Sequence, residues 1–365
     1  MTGCCRVTAA VASGRGRGLL VGLLAGVLSV TSLRADGPIA WVEDFADDPV
    51  SAGRFAVPAG HDAGRFAYTV GGPLTVHYDT LLPTAWYVRP LDAGNGRRLN
   101  RYDDFAFSVR FRIRSEGFFA DPWGFAQVAW GLINSETTGQ DRAGGSAGPY
   151  AFDCVTFDYF PNVTAWGGPT LGVTAIHGDD GAGFYSNIDF AFGAETDLNA
   201  AAGDAVPVLD AIYLAEVAYD GVEQVATLTL REWPSLTPLA INIQGQGGYG
   251  GYDSDPTTIQ TPILIDNGFQ VDSFALTAWQ DTYSPSGSSV IADVEFYEVS
   301  FQAAAVPLGD VHVDRMVDGR DIAVFVDLLL AATPDPDLVA RGDFSGDGVL
   351  DLADVGPFIA ALLGQ

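Results

Sequence analysis

The sequence contains no lysine: all 18 of its basic residues are arginine, and its formal net charge is −28. A chain this acidic is repelled by the phosphates of nucleic acids and by anionic membrane surfaces, so neither is expected as a partner. The charge does not indicate disorder, because hydrophobic residues make up 48% of the chain. Glycine (44) and proline (20) are plentiful, which is typical of a turn-rich β-protein with a core.

Cysteine and histidine are scarce as well. Cys4 and Cys5 lie in the N-terminal segment and Cys154 stands alone in the rest of the chain, which excludes an internal disulfide there. None of the four histidines is near Cys154 in sequence, and a catalytic thiol needs a basic partner. We therefore expect Cys154 to be a small buried side chain on a strand.

The N-terminal segment has the order of a secretory signal peptide. Arginines come first, the apolar run 19–30 follows, and small residues lead up to residue 35. The run is shorter than the roughly 20 residues that a membrane span requires, and an uncleaved anchor is the alternative. We predict that residues 1–35 are a signal peptide and that the protein is secreted, acting outside the cell or at its surface.

Residues 36–301 are predicted to form an all-β domain. In the stretch 105–114, apolar residues alternate with serine and arginine, which is the pattern of a strand with one buried face. The stretch 211–232 is predicted to be a hairpin that turns at Asp220 and Gly221. About a dozen such strands, separated by Gly, Pro and Asp turns, predict a two-sheet sandwich of jelly-roll type.

One strand resembles the metal-binding strand of legume-type lectins, which have the concanavalin-like sandwich fold. It reads VTFDYFPN, residues 155–162. The resemblance implies a calcium site formed by Asp158, the Phe160 carbonyl and Asn162. Thr156 replaces the glutamate of that family, so its second, transition-metal site is not expected. Because Ca²⁺ takes six to eight oxygens, the calcium site would be incomplete, and a polar strand end with an Asx turn is the alternative.

The sandwich lacks the carboxylate pattern of a known enzyme class. Retaining glucanases of this fold class carry a Glu-x-Asp-x-Glu strand, and this chain has none. His77 and His177 are the reasonable candidates for a catalytic base. A glycan-cleaving hydrolase or lyase stays open as an alternative, because lyase residues are scattered over several strands. A cell-envelope protein that binds another protein is a further alternative.

Tryptophan supplies the candidate glycan contacts, because sugar rings stack on exposed aromatic faces. Trp123 and Trp166 lie beside Gly and Pro in predicted loops, and Trp86 and Trp279 are further candidates. The alternative is that these side chains belong to the core. Non-catalytic binding of a glycan is the function that this part of the sequence favours.

The stretch 343–354 has the ligand spacing of an EF-hand calcium loop. Such loops place oxygen ligands at positions 1, 3, 5, 7, 9 and 12 and glycine at position 6. The ligand positions are occupied by Asp343, Ser345, Asp347, the Val349 carbonyl, Asp351 and Asp354, and Gly348 is at position 6. The spacing predicts a calcium site.

An equivalent loop occupies residues 310–321. Its ligand positions hold Asp310, His312, Asp314, the Met316 carbonyl, Asp318 and Asp321. A nitrogen ligand suits Ca²⁺ poorly, and Arg315 replaces the glycine at position 6, so a weaker second calcium site is predicted. Behind the loops, Phe325, Val326, Leu329 and Leu330 match Phe358, Ile359, Leu362 and Leu363, which predicts an apolar helical stripe.

Two loop-plus-helix units in this order resemble a type I dockerin over residues 308–365. Dockerins anchor secreted carbohydrate-active proteins to cohesin modules, so the resemblance implies an anchoring role and a cohesin-like partner. Positions 10 and 11 of the loops lack the usual Ser/Thr pair, which leaves the partner's identity open. We expect residues 310–365 to be a small all-α domain that folds with calcium, joined to the sandwich by a linker at 302–309.

Overall fold

The computed structural model describes residues 34–79, 82–93, 96–115, 128–137, 153–160, 170–177, 181–188, 211–239, 241, 255, 257–262, 268–279 and 291–364. Most of the predicted signal peptide lies outside these ranges, as do Trp123, Asn162 and Trp166.

The described residues form seventeen strands and three α-helices. The strands are β1 (Arg34–Asp36), β2 (Ile39–Glu43), β3 (Phe66–Tyr68), β4 (Leu74–Asp79), β5 (Ala85–Pro90), β6 (Phe105–Ser115), β7 (Val128–Ile133), β8 (Cys154–Phe160), β9 (Thr170–His177), β10 (Gly181–Ile188), β11 (Ile212–Asp220), β12 (Val225–Trp233), β13 (Thr237–Pro238), β14 (Thr258–Pro262), β15 (Ser273–Ala278), β16 (Ile291–Ala303) and β17 (Val306–Pro307). The helices are α1 (Asp321–Leu330), α2 (Pro336–Gly342) and α3 (Leu352–Leu363).

Most strands belong to two antiparallel sheets. A six-stranded sheet has the order β10-β9-β8-β7-β15-β5. A nine-stranded sheet has the order β13-β12-β11-β6-β16-β4-β3, with β14 paired to β12 and β2 paired to β16. The predicted two-sheet sandwich is confirmed, and the predicted hairpin at 211–232 is β11 and β12 with its turn at 221–224.

The core between the sheets explains the alternation in β6. Its apolar residues, Phe105, Phe107, Val109, Phe111 and Ile113, are all buried. Phe111 packs against Trp130 of the six-stranded sheet, with ring centroids 4.6 Å apart. On the opposite face, Arg112 pairs with Glu295 of β16. The nine-stranded sheet therefore turns one apolar face to the core and one charged face outward, as antiparallel sheets commonly do.

Residues 302–309, predicted to be a linker, carry regular structure. Gln302 and Ala303 extend β16, and Val306–Pro307 is β17, which pairs with β1 in a small separate sheet. The chain therefore enters the C-terminal module directly from the sandwich.

The C-terminal module packs its helices around two stacked phenylalanines. The Phe325 and Phe358 rings are parallel with centroids 4.0 Å apart, and Val311, Leu328, Val339 and Leu350 complete the cluster. The predicted apolar stripe is only partly buried. Phe325 and Phe358 lie in the core, whereas Val326, Leu330, Ile359 and Leu363 are exposed. In the part of the chain that the structure describes, no helix has the length and apolarity to cross a membrane.

Helix α2 was not predicted from the sequence. The Asp335 side chain accepts a hydrogen bond from the Asp337 N–H, and Pro336 occupies the first helical turn. Both are ordinary helix-start signals. The helix adds Val339 to the core of the module and carries Arg341 toward the sandwich.

Candidate functional site

The loop 343–354 is built around the Asp343 carboxylate. This carboxylate accepts hydrogen bonds from the backbone N–H groups of Gly346 and Gly348, both at 2.7 Å, and from the Ser345 hydroxyl at 3.0 Å. The backbone is left-handed at Gly346 (φ 72°) and Gly348 (φ 83°), a conformation that glycine adopts at little cost. Burial opposes ionisation of Asp343, but the N–H groups of Gly348 and Gly346 outweigh it and lower its pKa.

Asp354 closes the same loop against the start of α3. Its side chain is fully buried, and its two oxygens accept hydrogen bonds from the backbone N–H groups of Ser345 and Asp351, both at 2.9 Å. Asp351 in turn caps α3 through the Ala353 N–H. Loop positions 1, 3, 9 and 12 are thereby brought together by local hydrogen bonds.

The candidate ligand atoms of this loop suit calcium, although they do not point toward a common centre. Among the described residues, no group of three or more His, Cys, Asp or Glu side chains is arranged to hold a metal ion, because the loop carboxylates face backbone amides. All the candidate ligands are oxygens, which hard cations such as Ca²⁺ prefer. No ion pair of the described residues joins an arginine or histidine to Asp343, Asp347, Asp351 or Asp354.

The loop 310–321 repeats part of the backbone conformation of 343–354. Left-handed residues occur again at loop positions 4 and 6, here Val313 (φ 58°) and Arg315 (φ 70°). Asp321 is fully buried and accepts hydrogen bonds from the N–H groups of His312 (2.8 Å) and Asp318 (2.7 Å), as Asp354 does in the second loop. The two loops are thus structural repeats, as the sequence predicted.

The two loops differ in their counter-charges. In 310–321, the Arg341 guanidinium lies 3.3 Å from Asp310, and Arg320 lies 2.6 Å from Asp314 and 2.8 Å from Asp318. The hydrogen bonds from Arg320 lower the pKa of Asp318 to about 2. Loop positions 1, 5 and 9 therefore already carry arginine partners.

The predicted calcium strand of the sandwich holds a buried carboxylate. Asp158 is fully buried on β8, accepts a hydrogen bond from the Thr174 hydroxyl, and has the Thr156 hydroxyl 3.4 Å from both of its oxygens. Asn162 lies outside the described residues, and of Phe160 only the backbone is described. The structure therefore shows one member of the predicted set in a polar cluster with two threonines.

Trp86 and Trp279 are core residues, so the prediction that they stack on sugar is wrong. They are 0% and 6% exposed, and their rings meet edge to face with centroids 5.3 Å apart. They lie in a second apolar cluster on the outer side of the six-stranded sheet, which also contains Cys154. Cys154 is buried, as predicted. Trp123 and Trp166 are outside the residues that the structure describes.

His77 has the acidic partner that a general base would need. Its Nδ1 lies 2.8 Å from Asp293 Oδ1, on the outer face of the nine-stranded sheet, and both side chains are about one-third exposed or more. Glu295 is close by in sequence and is held ionised: burial opposes this, but hydrogen bonds from Tyr297 and Arg112 outweigh it and lower its pKa. His177 lies on β9, but its side chain is not among those described.

The chain is similar in structure to legume lectins. Peanut lectin solved with a nine-residue peptide is 11% identical, with a TM-score of 0.42, and the match covers 74% of this chain and 99% of that one. A Lotus tetragonolobus seed lectin is 16% identical (TM-score 0.41, 73% and 99%). Winged bean acidic lectin, complexed with methyl-α-D-galactose, is 11% identical (TM-score 0.42, 73% and 99%). No protein-family model matches the chain, and neither does any curated protein. The strand pairings themselves establish the two-sheet architecture.

Proposed function

We propose that this chain is a secreted glycan-binding protein with a calcium-binding C-terminal module. The observation that carries the calcium assignment is the contrast between the two loops. They share left-handed residues at positions 4 and 6, yet one has arginine beside its carboxylates and the other has no such partner among the described residues. Four neighbouring carboxylates without a counter-charge repel one another, and a bound divalent cation removes that repulsion.

The ligands of the ion come from the loop 343–354. They are Asp343, Ser345, Asp347, the Val349 carbonyl, Asp351 and Asp354. When bound, calcium supplies positive charge at the point where the loop meets α3. The chain's own residues supply the oxygens, and Gly348 allows the sharp turn between them. Binding requires the carboxylates to turn from backbone amides toward the ion, so the amide signals of the loop should shift.

Calorimetric titration of Ca²⁺ into the full chain tests this assignment. We expect Asp347→Ala, at position 5 of the second loop, to weaken calcium binding at least about tenfold, because one charged ligand is lost. The matched control is Asp314→Ala, at position 5 of the first loop, which should leave the affinity unchanged. Equal effects of the two variants, or no binding by the parent chain, would contradict the assignment.

Glycan binding by the sandwich is supported by its aromatic content and by the lack of a Glu-x-Asp-x-Glu strand. A glycan array and a reducing-end assay on the same polysaccharides test it together. Trp123→Ala or Trp166→Ala should weaken binding at least about tenfold, or about 1.4 kcal/mol, if these aromatics stack on sugar. Cleavage that is lost in His77→Gln would instead favour a hydrolase or lyase, for which the His77–Asp293 pair is the best candidate base.

Anchoring to a cohesin-like module is the partner hypothesis for the C-terminal module. Leu352, Ile359 and Leu363 are 81%, 48% and 80% exposed, and their spacing places them on one side of α3. An apolar helix face of this kind is suited to a protein partner. Surface plasmon resonance against purified cohesin modules, with calcium and then with EDTA, tests the hypothesis: binding that needs calcium supports it, and no binding in either buffer refutes it.

A further inference from the structure

We infer that the loop 310–321 is a metal-free docking element that fastens the C-terminal module to the sandwich. Arginine side chains take the place of the ion, and Arg315 carries the contact to the sandwich. The inference concerns the first loop and does not depend on calcium in the second.

The donor set of this loop does not suit Ca²⁺. Asp310, Asp314 and Asp318 each have a guanidinium within 3.3 Å, and arginine stays protonated at all ordinary pH values. A calcium ion at this point would bring two cationic charges against arginine or would have to displace it. His312 adds a nitrogen at position 3, where calcium prefers oxygen.

Arg341 joins the loop to the sandwich. It is 4% exposed, and its guanidinium contacts Asp310 of the loop at 3.3 Å, Asp103 of the sandwich at 3.1 Å and the Tyr102 carbonyl at 2.7 Å. Asp310 and Asp103 are themselves 1% and 4% exposed. One buried guanidinium therefore compensates a carboxylate from each module, and separation of the modules would break this arrangement.

Arg315 explains why glycine is missing from position 6. Its backbone is left-handed (φ 70°), where a side chain is unfavourable and where the second loop has Gly348. The Arg315 guanidinium makes two hydrogen bonds to Asp104, at 2.7 and 2.9 Å, and lies 3.0 Å from Asp220. Glycine could not make this contact, so the side chain gives the left-handed residue a binding role.

Helix α2 provides a second row of contacts to the same part of the sandwich. Arg101 lies 2.6 Å from Asp335 and 3.5 Å from Asp337, and the Gly268 N–H donates to Asp337 at 3.3 Å. The sandwich segment 100–104 is thus held between the first loop and α2. No hydrogen bond or ion pair of the described residues joins 343–354 to the sandwich, so docking belongs to the first repeat.

Hydrogen exchange of the full chain in EDTA tests the docking, so the result does not depend on calcium in either loop. Arg315→Gly restores the glycine and removes the contact to Asp104. We expect exchange in 100–104 and 310–321 to rise at least about tenfold, because both segments lose one of the contacts that hold them together. The matched control is Arg320→Gly, in the same loop, whose ion pairs stay within the loop; it should leave 100–104 unchanged. Asp104→Asn removes the same pair from the sandwich side and should reproduce the effect of Arg315→Gly.

The number of calcium ions bound per chain tests the metal-free state. Calorimetry should find one ion in the parent chain and one in Arg315→Gly. Two ions in the parent chain, or calcium-dependent protection of 310–321, would overturn the inference. Unchanged exchange of 100–104 in both Arg315→Gly and Asp104→Asn would overturn it as well. Failure of the second loop to bind calcium would refute the proposed function and leave the exchange result standing.

Discussion

Asp337 is a buried carboxylate at the docking interface, and it should make the stability of the protein depend on pH. It is 2% exposed and lies 3.5 Å from Arg101. Burial raises its pKa from 3.8 to about 6, and the Gly268 N–H and Arg101 only partly oppose this. Such a change corresponds to about 3 kcal/mol against the ionised form.

The sign of the effect follows from which state binds the proton. Between pH 4 and 6, Asp337 is protonated in the folded chain and ionised in the unfolded chain, so stability is lost as the pH rises through this window. The side chain introduced by Asp337→Asn would stay neutral throughout, and its amide oxygen can still accept from Gly268. The free energy of unfolding of Asp337→Asn, measured relative to the parent, should therefore rise by about 2.4 kcal/mol from pH 4 to pH 7, because the unfolded carboxyl is already partly ionised at pH 4.

Urea denaturation in calcium-free buffers at pH 4, 5, 6 and 7 measures this difference. Asp335→Asn is the matched control, because it removes the neighbouring carboxylate that lies 2.6 Å from Arg101. We expect that variant to be less stable than the parent at pH 7, because Arg101 loses a carboxylate that lies 2.6 Å away. If the free energy of unfolding of Asp337→Asn relative to the parent stays constant or falls as the pH rises, the reasoning is refuted.

Two further predictions concern packing. Trp86→Ala should lower the free energy of unfolding by about 3–5 kcal/mol, because the ring is fully buried against Trp279; thermal denaturation equal to that of the parent would contradict this. Gly221→Ala should cost at least about 1–3 kcal/mol in urea denaturation, because a Cβ there would lie 2.2 Å from the Tyr102 carbonyl oxygen. An unchanged midpoint would show that the turn moves aside freely.

Local patterns were predictable from the sequence because neighbouring residues determine them. The alternation of Phe105, Phe107 and Phe111 follows from the two-residue period of a strand, and these residues are buried as expected. The loop spacing likewise reflects short-range hydrogen bonds, such as that from Gly348 to Asp343. These features needed no knowledge of distant contacts.

Features that depend on distant residues could not be predicted in this way. Trp86 is on a strand, and its burial depends on what covers the outer side of the sheet. The pairing of Arg341 with Asp310 and Asp103 joins three separate parts of the chain. The sequence does carry a signal of the irregularity in the pairing of β16 with β6: the buried apolar residues of β16 shift phase between Phe296 and Val299.

The use of arginine in place of lysine has a structural reason at the docking interface. Both modules bring acidic side chains to it, so without cations the two surfaces would repel each other. Arg315 meets both oxygens of Asp104 and also reaches Asp220, and Arg341 joins two carboxylates and a carbonyl. A planar guanidinium with five N–H groups can make such divergent contacts, whereas the ammonium of lysine acts as a single point charge. Arginine can therefore hold two acidic modules together in one fixed arrangement.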